Sequence, residues 1–131
     1  MATLREIEEA VVRFRDQRDW AKYHTPRNLA ISLVVEVGEL LELLQWKTDE
    51  EILEYLRQGE GKAMASQELA DVAIYLLLLA HELGVDLEHA ILEKLKLNEQ
   101  RYPVEKVKGR YVKYTALQGE DRRSPEGSGQ G

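Results

Sequence analysis

The sequence has no cysteine among its 131 residues, which excludes disulfides, thiolate zinc sites, iron–sulfur clusters and a cysteine nucleophile, and allows a reducing compartment. Proline and glycine are scarce, 3 and 9 residues, so the chain is neither fibrous nor low-complexity. Positive charge is in deficit: 18 lysines and arginines against 24 acids leave a net charge of −6. The basic surface needed for nonspecific nucleic-acid binding is therefore not expected, and an acidic chain that handles phosphates must bring cations. The apolar run Ala73 to Ala80 is far shorter than a membrane span. The opening Met-Ala-Thr-Leu-Arg-Glu shows no signal-peptide pattern. No membrane association and a cytoplasmic location are the expectations. No Ser–His–Asp set and no glycine-rich phosphate loop stands out either.

What is present is 44% hydrophobic and 32% charged, the balance of a globular chain long enough for one domain with one core. No segment alternates with period two, so the expected class is all-α. Thr3-Leu4-Arg5-Glu6 has the spacing of a capping box and opens a helix whose face carries Leu4, Ile7, Val11 and Phe14. Thr25-Pro26 opens a second, over roughly 26–46, apolar nearly all round, with Ile31 and Val35 opposite Leu29, Leu33, Val37, Leu40 and Leu44. Thr48 and Glu51 box a short third helix, and Gly59 and Gly61 predict a loop after it. A long apolar helix over 63–83 stops at Gly84, and a last one, capped by Asp86, ends at Tyr102-Pro103. The domain is expected over 1–117, and residues 118–131, rich in Gly, Ser, Pro and charge, read as a disordered tail.

Two tetrapeptides carry the chemistry, Glu36-Val37-Gly38-Glu39 and Glu68-Leu69-Ala70-Asp71. Each places acids at i and i+3 on one face, in mid-helix, and on a helical wheel Glu36 and Glu68 fall among apolar neighbours. Desolvating four converging carboxylates costs several kcal/mol apiece unless cations compensate. Oxygen-only ligands suit hard ions, so Mg²⁺, with Mn²⁺ as substitute, is the expected cofactor. The plainer alternative is a pair of solvated stripes contacting lysines. On the last helix the apolar stripe Leu87, Ala90 and Ile91 continues into Lys94, Asn98 and Arg101, donors fit to grip phosphate oxygens. Their alternative is a basic last turn complementing the helix dipole. Phe14, Trp20, Tyr23 and Trp46 lie at helix ends flanking the first acid pair, where a base could stack or where they could simply pack. His24, Tyr111 and Tyr114 are weaker candidates.

At this point a resemblance is specific. Arg18-Asp19-Trp20, the run His24 to Leu29, Glu36 to Leu40, Gln45-Trp46, Glu68 to Val72 with Tyr75, Lys94 with Asn98, Arg101-Tyr102-Pro103 and Lys113-Tyr114-Thr115 resemble the all-α MazG-like nucleoside triphosphate pyrophosphohydrolases, and within them the dCTP pyrophosphatase group. The resemblance covers roughly 4–117. It implies Glu36, Glu39, Glu68 and Asp71 as metal ligands, with Glu36 or Glu39 accepting the proton of the attacking water. It implies Lys94, Asn98, Arg101 and Tyr102 as phosphate ligands, and Phe14, Trp20, Trp46 and Tyr75 around base and sugar. One departure is Val11, where some relatives place a histidine facing the base.

The reaction implied is Mg²⁺-dependent hydrolysis between the α and β phosphates, dCTP and water giving dCMP and pyrophosphate. A homo-oligomer, tetramer or dimer, is implied too. The all-round apolar helices ask for such a partner independently, since Ile31, Val35 and Leu77 would be bare on a lone copy. Two alternatives stand beside this reading. One is a house-cleaning pyrophosphatase for modified or other pyrimidine triphosphates, and the other is a non-catalytic helical interaction module.

Overall fold

In the computed structural model, which describes residues 1–111 and 113–119, three threonines open the first three α-helices, as predicted. Thr3 Oγ1 accepts the Glu6 N–H at 3.2 Å and starts α1, Leu4–Gln17. Thr25 Oγ1 accepts the Asn28 N–H at 3.2 Å and, with Pro26 in the first turn, starts α2, Pro26–Leu44. Thr48 and Glu51 form a reciprocal capping box at α3, Asp49–Arg57, leaving two otherwise orphaned N–H groups satisfied. A short 3₁₀ turn, Ala21–Tyr23, joins α1 to α2.

The fourth helix starts earlier than the sequence suggests. Gly59 and Gly61 do not make a loop; they are the first residues of α4, Gly59–Glu82. A side chain at Gly61 would put its Cβ 2.2 Å from the Tyr55 carbonyl oxygen. Glycine is needed there for close approach of α4 to α3, a packing demand that looks like a chain break in one dimension. At the other end Gly84 has φ +69, the Gly84 N–H bonds His81 O at 3.1 Å and the Val85 N–H bonds Ala80 O at 2.9 Å. This is a Schellman stop. Then follow α5, Leu87–Arg101, and a short α6, Val104–Val107, with a helical turn over 114–119. Asp86, just before α5, also forms an ion pair with Arg5 of α1.

No strand occurs among the described residues, so the class is all-α, as expected. The single domain expected over 1–117 is carried by two compact units, 1–88 and 89 onward. In the first, α4 is central: it packs on α2 most extensively and also on α1 and α3. Leu29, Ala65, Leu77, Leu78 and Ala80 are buried there, and Leu117 is buried in the second unit. α4 has the length and apolar composition of a membrane span, a property the run-length reading missed; here it is a helix packed by three others and interrupted by Glu68 and Asp71. Ile31 and Val35 are exposed as predicted, but Leu77 is buried and Leu76 takes the bare position. The covered face of α1 is also rotated from the predicted one: Ile7 and Phe14 are exposed, while Val11, Val12 and Arg15 turn inward. Of the tail expected over 118–131, Gln118 and Gly119 close the last helical turn, and the rest lies outside the described residues.

Candidate active site

The acid pairs meet because α2 and α4 run side by side, placing one tetrapeptide beside the other. Carboxylate oxygens of Glu36, Glu39 and Glu68 all lie within 4.8 Å of one another. Asp71 stands outside that trio but close enough for its charge to act on both Glu36 and Glu68. Burial, then a hydrogen bond shared with Glu39, then the charges of Glu39, Asp71 and Glu68 push the Glu36 carboxyl up to about 7. Burial, followed by the charges of Glu39 and Asp71, raises Glu68 as well. None of the four acids forms an ion pair among the described residues, so the alternative of lysine-paired stripes does not describe them.

The cluster fits a cation on its own geometry. Glu36 Oε2 and Glu68 Oε2 are each buried with no hydrogen-bond partner, and buried carboxylate oxygens are not left so without cost. All the donors are oxygens, with no histidine or cysteine in the group. An ion held between the two helices would satisfy both orphaned atoms and relieve the repulsion among the acids.

The structure pairs two of the predicted aromatics with each other and a third with His24. Phe14 and Trp20 meet edge to face, centroids 5.9 Å apart, and the Arg18 guanidinium lies 3.7 Å from the Phe14 ring centre. Tyr75, one turn after Asp71 on α4, meets His24 edge-on at 6.5 Å. Trp46 follows the C-terminal end of α2, with φ +69 and 92% of its surface exposed.

The four predicted phosphate ligands lie in the second unit. Lys94 is exposed on α5 and Asn98 half-buried, its carbonyl accepting the Tyr102 N–H at 2.8 Å. The Arg101 guanidinium sits 4.9 Å from the Tyr114 ring centre, and the Tyr102 hydroxyl accepts the Tyr114 N–H at 3.1 Å. Tyr114, a weak candidate by sequence, thus organises two of the four. Two residues of the first unit stand out. His24, a weaker candidate by sequence, has a buried Nδ1 without a partner, and Arg15, which carries no sequence signal, is buried with 4% of its surface exposed.

With this geometry in place, similarity to known proteins becomes specific. Residues 31–117 match the MazG-like family. This chain belongs to the MazG-like family. Its fold resembles that of a pyrophosphatase from Archaeoglobus fulgidus DSM 4304, with TM-score 0.69 and 40% identity, over 79% of this chain and 94% of the other. It is 46% identical to dCTP pyrophosphatase 1 of Rattus norvegicus over 88% of its own length and 68% of the relative's. The Homo sapiens protein of the same name is 44% identical over the same shares. The MazG-like match contains all four acids of the cluster, while Phe14 and Trp20 precede it.

Proposed function

We propose that this MazG-like chain is a dCTP pyrophosphohydrolase, converting dCTP and water into dCMP and pyrophosphate. The observation that carries the reading is the trio Glu36, Glu39 and Glu68, with buried, unpartnered oxygens, in a chain 46% identical to a dCTP pyrophosphatase. An interaction module has no need of such a costly cluster.

Glu36, Glu39, Glu68 and Asp71 would hold the metal, Mg²⁺ by the hardness of the donors and Mn²⁺ as its substitute. When bound, the ion neutralises phosphate charge and lowers the pKa of a coordinated water. Glu36 and Glu39, which share a hydrogen bond in the metal-free protein, are the carboxylates assigned to take that water's proton. Lys94, Asn98, Arg101 and Tyr102 are assigned the outer phosphates, arginine as a fork and lysine as a point charge. Phe14, Trp20 and Tyr75 are assigned to base and sugar. Positioning and charge stabilisation suffice for this reaction, and no covalent nucleophile is required.

The site is completed between copies. Ile31, Val34, Val35, Leu41 and Leu69 leave more than half of their surfaces bare, an apolar face that a second copy would cover. Trp46, exposed past the C-terminal end of α2, would be available to a base in another copy's site. A dimer or tetramer follows from both. The net charge of −6 disfavours nucleic acid as a partner, and a cytoplasmic chain free of membranes is the corresponding expectation.

A second reading, hydrolysis of modified pyrimidine triphosphates, is favoured by one feature. An apolar groove of about 410 Å³ bordered by Ile7, Val11, Phe14 and Ile74 offers room for an apolar base substituent. A nucleotide panel with Mg²⁺ separates the two by relative kcat/KM. Reaction in ¹⁸O water tests the chemistry: label in the monophosphate and intact pyrophosphate are expected. Orthophosphate and a nucleoside diphosphate as products overturn the assigned bond, and no turnover of any nucleotide returns the chain to the interaction module.

A further inference from the structure

Among the described residues Arg15 is the one charged side chain that the fold buries. A buried guanidinium is costly unless paired and hydrogen-bonded, and this one is both. Its Nη1 donates to Glu82 Oε1 at 2.5 Å, at the C-terminal end of α4, and its Nε donates to Asp16 Oδ1 at 2.9 Å. The carbonyl of the same residue accepts the N–H groups of Arg18 at 3.1 Å and Trp20 at 3.2 Å. Those two bonds close a turn in which Asp19 adopts φ +56, a left-handed conformation that aspartate tolerates better than most residues. The turn delivers the Trp20 ring to Phe14 and leads into His24, which meets Tyr75. Burial, and then the Arg15 charge, hold His24 below the usual histidine range, with Glu82 pulling weakly the other way. His24 therefore faces the tyrosine as a neutral ring.

Arg15 thus joins two parts of the site that have no covalent reason to keep register. Its side chain is pinned to the helix that carries Glu68, Asp71 and Tyr75, and its backbone holds the segment that carries Trp20 and His24. We propose that Arg15 is a positioning residue for base recognition: by gripping Glu82 with its guanidinium and the Trp20 N–H with its carbonyl, it sets the 20–24 segment against Tyr75. This rests on the assignment of Phe14, Trp20 and Tyr75 to the base.

The test replaces the pair without stranding a charge. In R15M/E82M two apolar side chains of similar reach fill the space, a change that buried ion pairs often tolerate. The expected result is Tm within about 4 °C of wild type, kcat within about threefold, and KM for dCTP raised about tenfold. Inhibition by inorganic tripolyphosphate, which has phosphates and no base, should stay within about twofold of wild type. In a W46F background, where Trp20 is the only indole, its emission should shift to the red. Arg15→Lys, which keeps the charge and loses the fork, should recover part of the KM. Should the double variant not fold, Arg15→Met alone, which leaves only the part-exposed Glu82 carboxylate, carries the same comparison. An unchanged KM for dCTP overturns the proposal, and so does a parallel weakening of dCTP and tripolyphosphate, which marks general loosening. A wild-type chain that leaves dCTP intact overturns the assignment of the site itself, and the Trp20 emission then still reports whether Arg15 positions the segment.

Discussion

Metal binding at the four acids should be strongly pH-dependent near neutrality, and the structure sets the size of the effect. Glu36 is pushed up to about 7 in the metal-free protein, so it is about nine-tenths protonated near pH 6 and about one-tenth near pH 8. A carboxylate must lose its proton to act as a ligand. Apparent Mg²⁺ affinity should therefore fall about tenfold from pH 8 to pH 6, about 1.4 kcal/mol, with close to one proton released per ion near pH 6. Glu68 is raised in the same direction, so the true dependence is no smaller. Calorimetric titration with MgCl₂ at both pH values, in two buffers of different ionisation enthalpy, measures affinity and proton release together. E36Q should flatten both. A dissociation constant that changes by less than about twofold, with no proton released near pH 6, refutes the reasoning. The same shift has a consequence for folding. Because the folded carboxyl lies above its ordinary 4.5, the metal-free folded state binds more protons than the unfolded chain between about 4.5 and 7. Stability without metal should thus decline as pH rises through that window, and saturating Mg²⁺ should reverse the trend.

Glu39→Gln and Asp71→Asn should nearly abolish turnover while leaving the metal-free Tm unchanged or higher, since each removes a charge from a crowded cluster; equal turnover in the variants and wild type at saturating Mg²⁺ eliminates the site. Trp46→Ala should lower kcat/KM by about 5- to 150-fold, or about 1–3 kcal/mol of base stacking, and Trp46→Gly should lose as much activity while relieving the positive φ, which steady-state kinetics and a melting curve check together. Gly61→Ala should destabilise by about 1–3 kcal/mol as its Cβ is driven onto the Tyr55 carbonyl, readable as a lower denaturation midpoint. Light scattering at micromolar concentration should show a mass at least twice the 15.1 kDa of one chain; a stable monomer ends the argument for a site shared between copies.

Much of this molecule is legible in one dimension because the signals are local. A threonine three residues before its N–H partner, a glycine past a helix end, and acids at i and i+3 inside an apolar helix need only helical periodicity to be read. Thr25, Thr48, Gly84 and both acid tetrapeptides accordingly stand where the sequence places them. The metal-ligand hypothesis is of the same kind, since the cost of burying like charges together is a property of the residues before any coordinates exist.

What the tertiary structure alone decided are the features that depend on distant neighbours. Gly61 reads as a breaker until Tyr55 is seen to occupy the space of its Cβ. Arg15 carries no signal in the sequence, and its burial depends on Glu82, 67 residues away, which receives its guanidinium. Glu36 and Glu68 become one cluster only when α4 lies along α2. Spacing along a helix fixes which residues share a face, but which face meets which is settled by the packing of α4 against three partners at once, and that is a sum over contacts no local window contains.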